Sequence, residues 1–387
     1  MTGAETRVSV SVRTLAFRLI SLIDRLVPKS RSILYRSFPD VCDQGIQTVG
    51  ALVEADLAPV TWLVDDVGNP RLAGMGCRVV SSRSPRGLWA YWRARVVVHT
   101  HGVLGSGRTA PSKRFVNIWH GMPIKLLEHG SDVGRHQTDV TIATAAVHAE
   151  NLARTWGLDP SQVHLTGLPR NDVLAREGGD RPDWLRDLAG DRPLVVWLPT
   201  FRRAVTGTVR ADGVETGTPT QFEGVSIDDV DALMGRLGAF CLLKLHPLAE
   251  QLPRQDRPNL VSLPDAALAD LGVTLYEVLA HADLLVTDHS SVWIDFLLTR
   301  RPILFAISDV EQYRSSRGWY FDDIEALLPG PLVSDGDDFA VELARLLGGD
   351  DRWVDQRNEA LAFHHLHQDA GASQRVVSLV ATELDRP

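Results

Sequence analysis

The sequence predicts an α/β protein built from two parallel-sheet units in series, and three observations support that prediction. Short β-branched apolar runs alternate along the chain with stretches of helical periodicity, the order that gives parallel strands joined by crossover helices. A length of 387 residues suits two or three domains at about 150 residues each. A composition 44% apolar and 23% charged is that of a folded globular chain, which sets aside disorder, collagen-like repeats and a coiled coil.

The elements follow in chain order. If residues 7–27 are helical, Arg7, Thr14, Arg18, Ser21 and Arg25 share one stripe, while Val12, Leu15, Leu19, Leu22, Ile23 and Leu26 cover the other face. Residues 1–36 hold seven bases against two acids, a net of +5, which suits an anionic lipid surface; the alternative is an ordinary helix packed on its own domain. Strands are expected at Val60–Val64, Arg78–Ser81, Arg95–Thr100, Phe115–Trp119, Val140–Ala143 and Val163–Thr166 in the first half. In the second half they are expected at Leu194–Leu198, Phe240–Leu245, Leu260–Leu263, Leu284–Thr287 and Ile303–Ala306. Helical patterns at Ala145–Trp156, Leu275–Ala282 and Val292–Thr299 separate them. The polar, glycine-rich stretch Arg176–Arg181 before Pro182 marks the boundary between units, and Thr206–Glu223 reads as a long surface loop and candidate lid.

Charge and cysteine content narrow the class. A formal charge of -9 argues against a protein that coats nucleic acid. Locally, the stretch between Asp66 and Glu128 has no acid and ten bases, interleaved with Trp89, Tyr91 and Trp92, which suggests an interfacial or polyanion-facing surface. Cys42, Cys77 and Cys241 are widely spaced and form no Cys-x-x-Cys pair, so they read as reduced thiols in a cytosol. Charges interrupt the N-terminal apolar stretch and no run of about 18 uncharged apolar residues occurs, so neither export nor a membrane span is expected. His364, His365 and His367 lie close together without a completing cysteine or carboxylate, and no metal is expected.

Open parallel sheets bind ligands beyond the carboxyl ends of their strands, and the chemically informative residues fall there. The run Phe115–Trp119 leads into His120, Gly121, Met122, Pro123, Ile124 and Lys125. Val163–Thr166 leads into Arg170, Leu194–Leu198 into Pro199, Thr200, Phe201 and Arg202, and Phe240–Leu245 into His246. Leu284–Thr287 leads into Asp288, His289, Ser290 and Ser291, followed by Asp295. Singly each is weak, since a histidine after a strand is usually structural and Ser290 could simply cap a helix. Jointly they suit phosphoryl transfer: Ser290 and Ser291 offer hydroxyls and backbone N–H groups to a phosphate, Arg170, Arg202 and Lys244 neutralise a diphosphate, and two histidines divide proton acceptance and stabilisation of the leaving phosphate.

Six ordered motifs then carry a resemblance. Asn117 to Lys125, Thr166 to Asp172, Pro199 to Arg202, Lys244 to Pro247, Thr287 to Ser291 and Arg317 to Asp322 resemble the CDP-glycerol glycerophosphotransferase family of teichoic acid and capsule synthesis. The resemblance implies a GT-B architecture, two Rossmann-like domains facing a central cleft, attached peripherally to the inner face of the cell membrane. It implies transfer of a polyol phosphate from CDP-glycerol or CDP-ribitol to a lipid-linked saccharide or polyol-phosphate polymer, releasing CMP, with no cofactor. His120 matches the family's general base and His246 its second histidine. Gly121, Met122, Pro123, Ile124, Arg170, Pro199, Thr200, Arg202, Lys244, Ser290, Ser291, Asp295 and Arg317 match donor-side positions, Asp295 as a holder of polyol or ribose hydroxyls. Met122 and His289 depart from the Thr and Tyr usual in the family. The expected domains are a basic segment over 1–36, an acceptor-side Rossmann-like domain over 37–177, a donor domain over 178–350 and a helical segment over 351–387. A GT-B sugar transferase and a non-catalytic binder of anionic polymer are the rival readings.

Overall fold

The computed structural model describes residues 17–104, 110–124, 137–176, 179–199, 220, 222–244, 257–288, 290–307 and 327–386. It divides into two units: one holds residues 1–122, 127–172 and 369–387, the other residues 123–126 and 173–368. The chain passes into its second unit after Asp172, and its last helix, Ala372–Asp385, belongs to the first.

The first unit is a seven-stranded sheet of β1 (Ser30–Arg36), β2 (Val60–Val64), β3 (Arg78–Ser81), β4 (Ala94–His99), β5 (Arg114–Asn117), β6 (Val140–Ala143) and β7 (Val163–Leu165), in the order β3-β2-β1-β4-β5-β6-β7. The second is a six-stranded sheet of β8 (Leu194–Leu198), β9 (Phe240–Leu243), β10 (Leu260–Ser262), β11 (Leu284–Thr287), β12 (Ile303–Ala306) and β13 (Leu332–Val333), in the order β10-β9-β8-β11-β12-β13. Every pairing in both sheets is parallel. Both sheets are doubly wound: the strand order reverses between β1 and β4 in one and between β8 and β11 in the other. Ligand crevices form at those reversals, beyond the carboxyl ends of the strands.

Burial on both faces explains the strand sequences. All of β6, β8, β9, β11 and β12 is buried, so these strands read as continuous apolar runs rather than alternating ones. Trp197 of β8 stacks on Phe339 at 5.1 Å and Phe222 packs on the same ring at 5.3 Å, which locks β8 against its covering layer.

Two strands were not expected from the sequence, β1 and β13. β1 lies in what reads as the basic N-terminal segment, because Ser30, Arg31 and Ser32 hide the buried triplet Ile33, Leu34 and Tyr35. Yet β1 pairs with both β2 and β4 and lies inside the sheet.

The helix over residues 17–26 differs from the expected amphipathic arrangement. It packs on the first unit through Ile20, which lies against the apolar core, and through Ser21 and Asp24, both buried, while Leu19, Leu22 and Leu26 are 55%, 57% and 77% exposed. Asp24 is the anchor. Its carboxylate takes the Lys29 ammonium at 3.1 Å, the Lys113 ammonium, and the backbone N–H of Ala110 at 2.9 Å. Trp92 donates its ring N–H to the carbonyl of Ile20 at 3.1 Å. Part of the basic stretch after Asp66 is taken up inside the fold, while Arg78, Arg83, Arg86 and Trp89 are exposed. Lys113 and Tyr91 are buried, Trp92 holds the helix, and Arg114 pairs with Asp139 and Glu383. Among the described residues no helix is long and apolar enough to cross a membrane.

Candidate functional site

In the first unit the site is built at the ends of β4 and β5, beside the reversal of strand order. Past β5 the backbone turns sharply: Trp119 has φ +50° and Gly121 φ +146°, both in the region that side chains disfavour. Asn117 supports the turn by accepting the Trp119 N–H at 3.0 Å. Trp119 is seated edge-on against Trp156 at 4.7 Å, and this fixes the segment that presents His120.

His120 stacks face to face on His101, with ring centroids 4.0 Å apart and planes 16° from parallel. Its carbonyl accepts from the Arg170 guanidinium at 2.7 Å, so the two expected site residues are brought together. Gln44, buried on the helix Asp43–Glu54, joins their loops: its amide donates to the Ile118 carbonyl at 3.1 Å and accepts the Arg170 N–H at 3.1 Å. Asp172 accepts the N–H groups of Ala372 and Ser373, both at 2.8 Å, and so caps the returning C-terminal helix against the loop that carries Arg170.

The electrostatics favour neutral imidazoles. Desolvation, then His101 and Arg170, push the His120 pKa down to about 3, and desolvation pushes His101 down to about 4. His99, at the end of β4, is likewise pushed to about 4 by burial. Because Gly102 donates its N–H to His99 Nδ1 at 2.8 Å, the proton belongs on Nε2, which reaches the Gln137 carbonyl at 2.6 Å. A neutral His120 beside a guanidinium can accept a proton from a hydroxyl that approaches it.

Of the residues after His120, Met122 and Ile124 are 1% and 2% exposed and anchor the segment, and Gly121 and Pro123 are buried with them.

In the second unit, Pro199 ends β8 while Ser290 and Ser291 follow β11, so all three lie at the reversal of strand order. Ser290 and Ser291 are half-buried, and the Ser290 hydroxyl accepts the Val292 N–H at 3.4 Å. The helix they precede is only Val292–Phe296 before it tightens into the 3-10 turn Leu297–Thr299, so its dipole adds less than a long helix would. Lys244 follows β9 and pairs with the exposed Asp265 at 3.0 Å. An exchangeable pair of that kind leaves the ammonium able to move to a phosphate. Asp295, expected to hold donor hydroxyls, is 1% exposed and accepts the Tyr276 hydroxyl at 2.5 Å. His364 packs edge-on against Trp293 at 5.0 Å and His365 Nε2 lies 2.7 Å from the Ile294 carbonyl, which ties both to the same helix.

Thr200, Arg202, His246 and Arg317 lie outside the described residues, as do Lys125, His289 and most of the candidate lid. Among the described residues no group of three or more His, Cys, Asp or Glu is placed to hold a metal ion, and all three cysteines are free thiols. Sequence reasoning missed His99, His101 and Gln44. A His-x-His pair at a strand end was the available signal for the first two, whereas Gln44 on a distant helix left none.

Two Rossmann-ordered parallel sheets in one chain, with polar and basic side chains at the carboxyl ends of the strands, define a GT-B-type α/β protein. The chain belongs to the CDP-glycerol:poly(glycerophosphate) glycerophosphotransferase family, whose profile matches residues 20–382. Among its relatives, the teichoic acid ribitol-phosphate polymerase TarK of Staphylococcus aureus is 24% identical over 297 residues, 72% of this chain and 54% of that protein. The teichoic acid poly(glycerol phosphate) polymerase of Bacillus subtilis is 25% identical over 254 residues, 57% of this chain and 30% of that protein. A solved structure of the wall teichoic acid polymerase TagF matches with a TM-score of 0.78 at 20% identity, covering 98% of this chain and 95% of that one. This chain thus aligns with only a third to about half of the length of those curated relatives.

Proposed function

We propose that the protein transfers a polyol phosphate, glycerol phosphate before ribitol phosphate, from a CDP-activated donor to a hydroxyl of a lipid-linked saccharide or a polyol-phosphate polymer, in teichoic acid or capsule synthesis. The observation that carries this reading is the neutral His120 imidazole presented at a strand end beside Arg170, in a chain of this family. The acceptor oxygen attacks the β-phosphorus while its proton passes to His120. The bond between the β-phosphorus and the bridging oxygen breaks, and CMP leaves with that oxygen. His246 is assigned the stabilisation of the leaving phosphate. Arg170, Lys244, Ser290 and Ser291, with Thr200, Arg202 and Arg317, are assigned the donor's charge. Incubation with CDP-glycerol or CDP-ribitol and a lipid-linked acceptor tests this. CMP release with acceptor growth is the expected result, and release of UDP from a nucleotide sugar, or binding of anionic polymer with no turnover of any CDP-polyol, overturns it.

Exchanging both Ser290 and Ser291 for alanine is expected to raise the donor KM about 100-fold or more, because hydrogen bonds to a charged group are each worth about 1.5–3 kcal/mol. Steady-state kinetics at varied donor concentration measures it, and an unchanged KM removes both hydroxyls from the donor site.

Peripheral attachment to the inner, cytoplasmic face of the membrane belongs to the same proposal. A helix that packs on its own domain through Ile20, Ser21 and Asp24 while Leu19, Leu22 and Leu26 are exposed, flanked by the exposed Arg18 and Arg25, is arranged for an anionic lipid surface. Changing the three leucines to glutamine forfeits roughly 1 kcal/mol each at half insertion, so partitioning onto anionic vesicles should weaken about 100-fold. Flotation with vesicles reads this directly, and equal binding by the parent and the triple variant excludes the helix as the contact.

A further inference from the structure

We propose that His101 is a positioning residue for the reaction: its ring is the platform on which the His120 imidazole rests, and Thr100 fixes the orientation of that platform. The inference rests on His120 being the proton acceptor and adds a residue that no motif in the sequence had singled out.

Geometry carries the argument. His101 follows β4 and His120 follows β5, adjacent strands in register, so the two rings reach the same edge of the sheet from neighbouring positions. They stack at 4.0 Å and 16°, while Trp119 lies nearly parallel to His101 at 5.9 Å and Phe38 meets its edge at 5.6 Å. His101 is thereby in contact with three rings. Its rotation is set as well: His101 Nδ1 lies 2.9 Å from the Thr100 hydroxyl, and that same hydroxyl accepts the Phe38 N–H at 3.0 Å. The Thr100 hydroxyl and His101 Nδ1 share this hydrogen bond in either tautomer of the ring, so the bond holds the ring's orientation whichever of the two atoms donates.

A platform of this kind does two things. It confines the His120 ring to one plane, which narrows the approach of the acceptor hydroxyl and shortens the search for a productive pose. It also keeps water from one face of the ring. Two kinds of charged or titratable group act on His120: His101 on its face and the Arg170 guanidinium at its carbonyl, with His99 behind His101. Desolvation first, then His101 and Arg170, disfavour the imidazolium in the free enzyme, which holds His120 in the proton-accepting form.

The test compares His101→Ala with His101→Phe in the full-length protein. Alanine removes the platform and opens the ring to water. Phenylalanine keeps a flat, dry surface but gives up the bond to Thr100. With His101→Ala, kcat should fall about tenfold with donor KM changed by less than about threefold, and the acidic limb of kcat/KM should move up toward the ordinary histidine value near 6.5. With His101→Phe, kcat should recover to within about threefold of the parent. Nuclear magnetic resonance titration of the histidine rings without substrate adds a readout independent of turnover: the His120 midpoint should rise by about one unit or more in His101→Ala and stay low in His101→Phe. An alanine variant with parental kcat and an unmoved His120 midpoint overturns the proposal. So does a phenylalanine variant as impaired as alanine, since a flat ring would then not suffice. If the parent itself releases no CMP from any CDP-polyol, the proposed function fails, while the titration still decides whether His101 governs the state of His120.

Discussion

Replacing His120 by alanine is expected to lower kcat/KM for the CDP-polyol by about 100-fold or more, the usual loss when a positioned proton acceptor is removed. The fold should survive the change. Arg170 binds the carbonyl of His120 rather than its ring, Asn117 holds the turn through the Trp119 N–H, and Met122 and Ile124 are themselves buried. A thermal midpoint close to that of the parent, together with the kinetic loss, separates chemistry from stability. Near-parental turnover removes His120 from the mechanism.

The pH dependence of the parent follows from the same environment. A histidine whose pKa is pushed down to about 3 is neutral throughout the neutral range, so kcat/KM, which reports the free enzyme, should show no acidic limb near 6.5 and should decline only at markedly lower pH. Bound diphosphate brings negative charge toward the ring and favours the imidazolium, so the limb of kcat should lie at higher pH than that of kcat/KM. A limb of kcat/KM at the ordinary histidine value would mean that His120 is solvated in the free enzyme.

The two-sheet architecture was legible because parallel strands covered on both faces announce themselves as runs of apolar and β-branched residues without polar alternation. Val60–Val64, Val140–Ala143, Leu194–Leu198 and Ile303–Ala306 were read to the residue for that reason. β1 escaped because half of it is polar and its central place in the sheet is a property of pairing, not of local sequence. Residues on strand-end loops stood out as candidates, since His120, Arg170 and Ser290 are unusual after apolar runs. Their supports did not. Gln44 lies 74 residues from the Ile118 carbonyl that it holds, and His101 acquires its meaning only when β4 and β5 lie side by side. The N-terminal helix shows the same limit from the other side. Within residues 17–26 the stripe of Leu19, Leu22 and Leu26 is present, but periodicity could not tell which face the domain would take; the buried Asp24 lies on the face that it took.

That aspartate should be among the most consequential residues for stability. Asp24 and Lys113 have fully buried side chains and Lys29 is only 3% exposed, so Asp24→Ala leaves two ammonium groups in the interior without their carboxylate and the Ala110 N–H without its acceptor. Lys113 keeps the Tyr91 carbonyl and a place 3.8 Å from the centre of the Tyr91 ring, and Lys29 keeps the carbonyls of Val27 at 3.0 Å and Trp92 at 2.7 Å, but none of these carries a full negative charge. Breaking a buried pair on one side costs about 3–5 kcal/mol, a large part of the 5–15 kcal/mol that holds a typical domain together. The sign of the pH dependence distinguishes this account from simple loss of packing. Burial already lowers the Lys113 pKa to about 8, below the ordinary 10.5, against the pull of Asp24. Without Asp24 it falls further, so the folded variant binds fewer protons than the unfolded chain over a wider range, and its stability rises with pH across that range. The deficit in Asp24→Ala should therefore be largest near neutral pH and shrink towards pH 10, as seen in urea unfolding at both values. A loss under about 1 kcal/mol at neutral pH would mean that the lysines are solvated and that the helix over residues 17–26 is held by its other contacts.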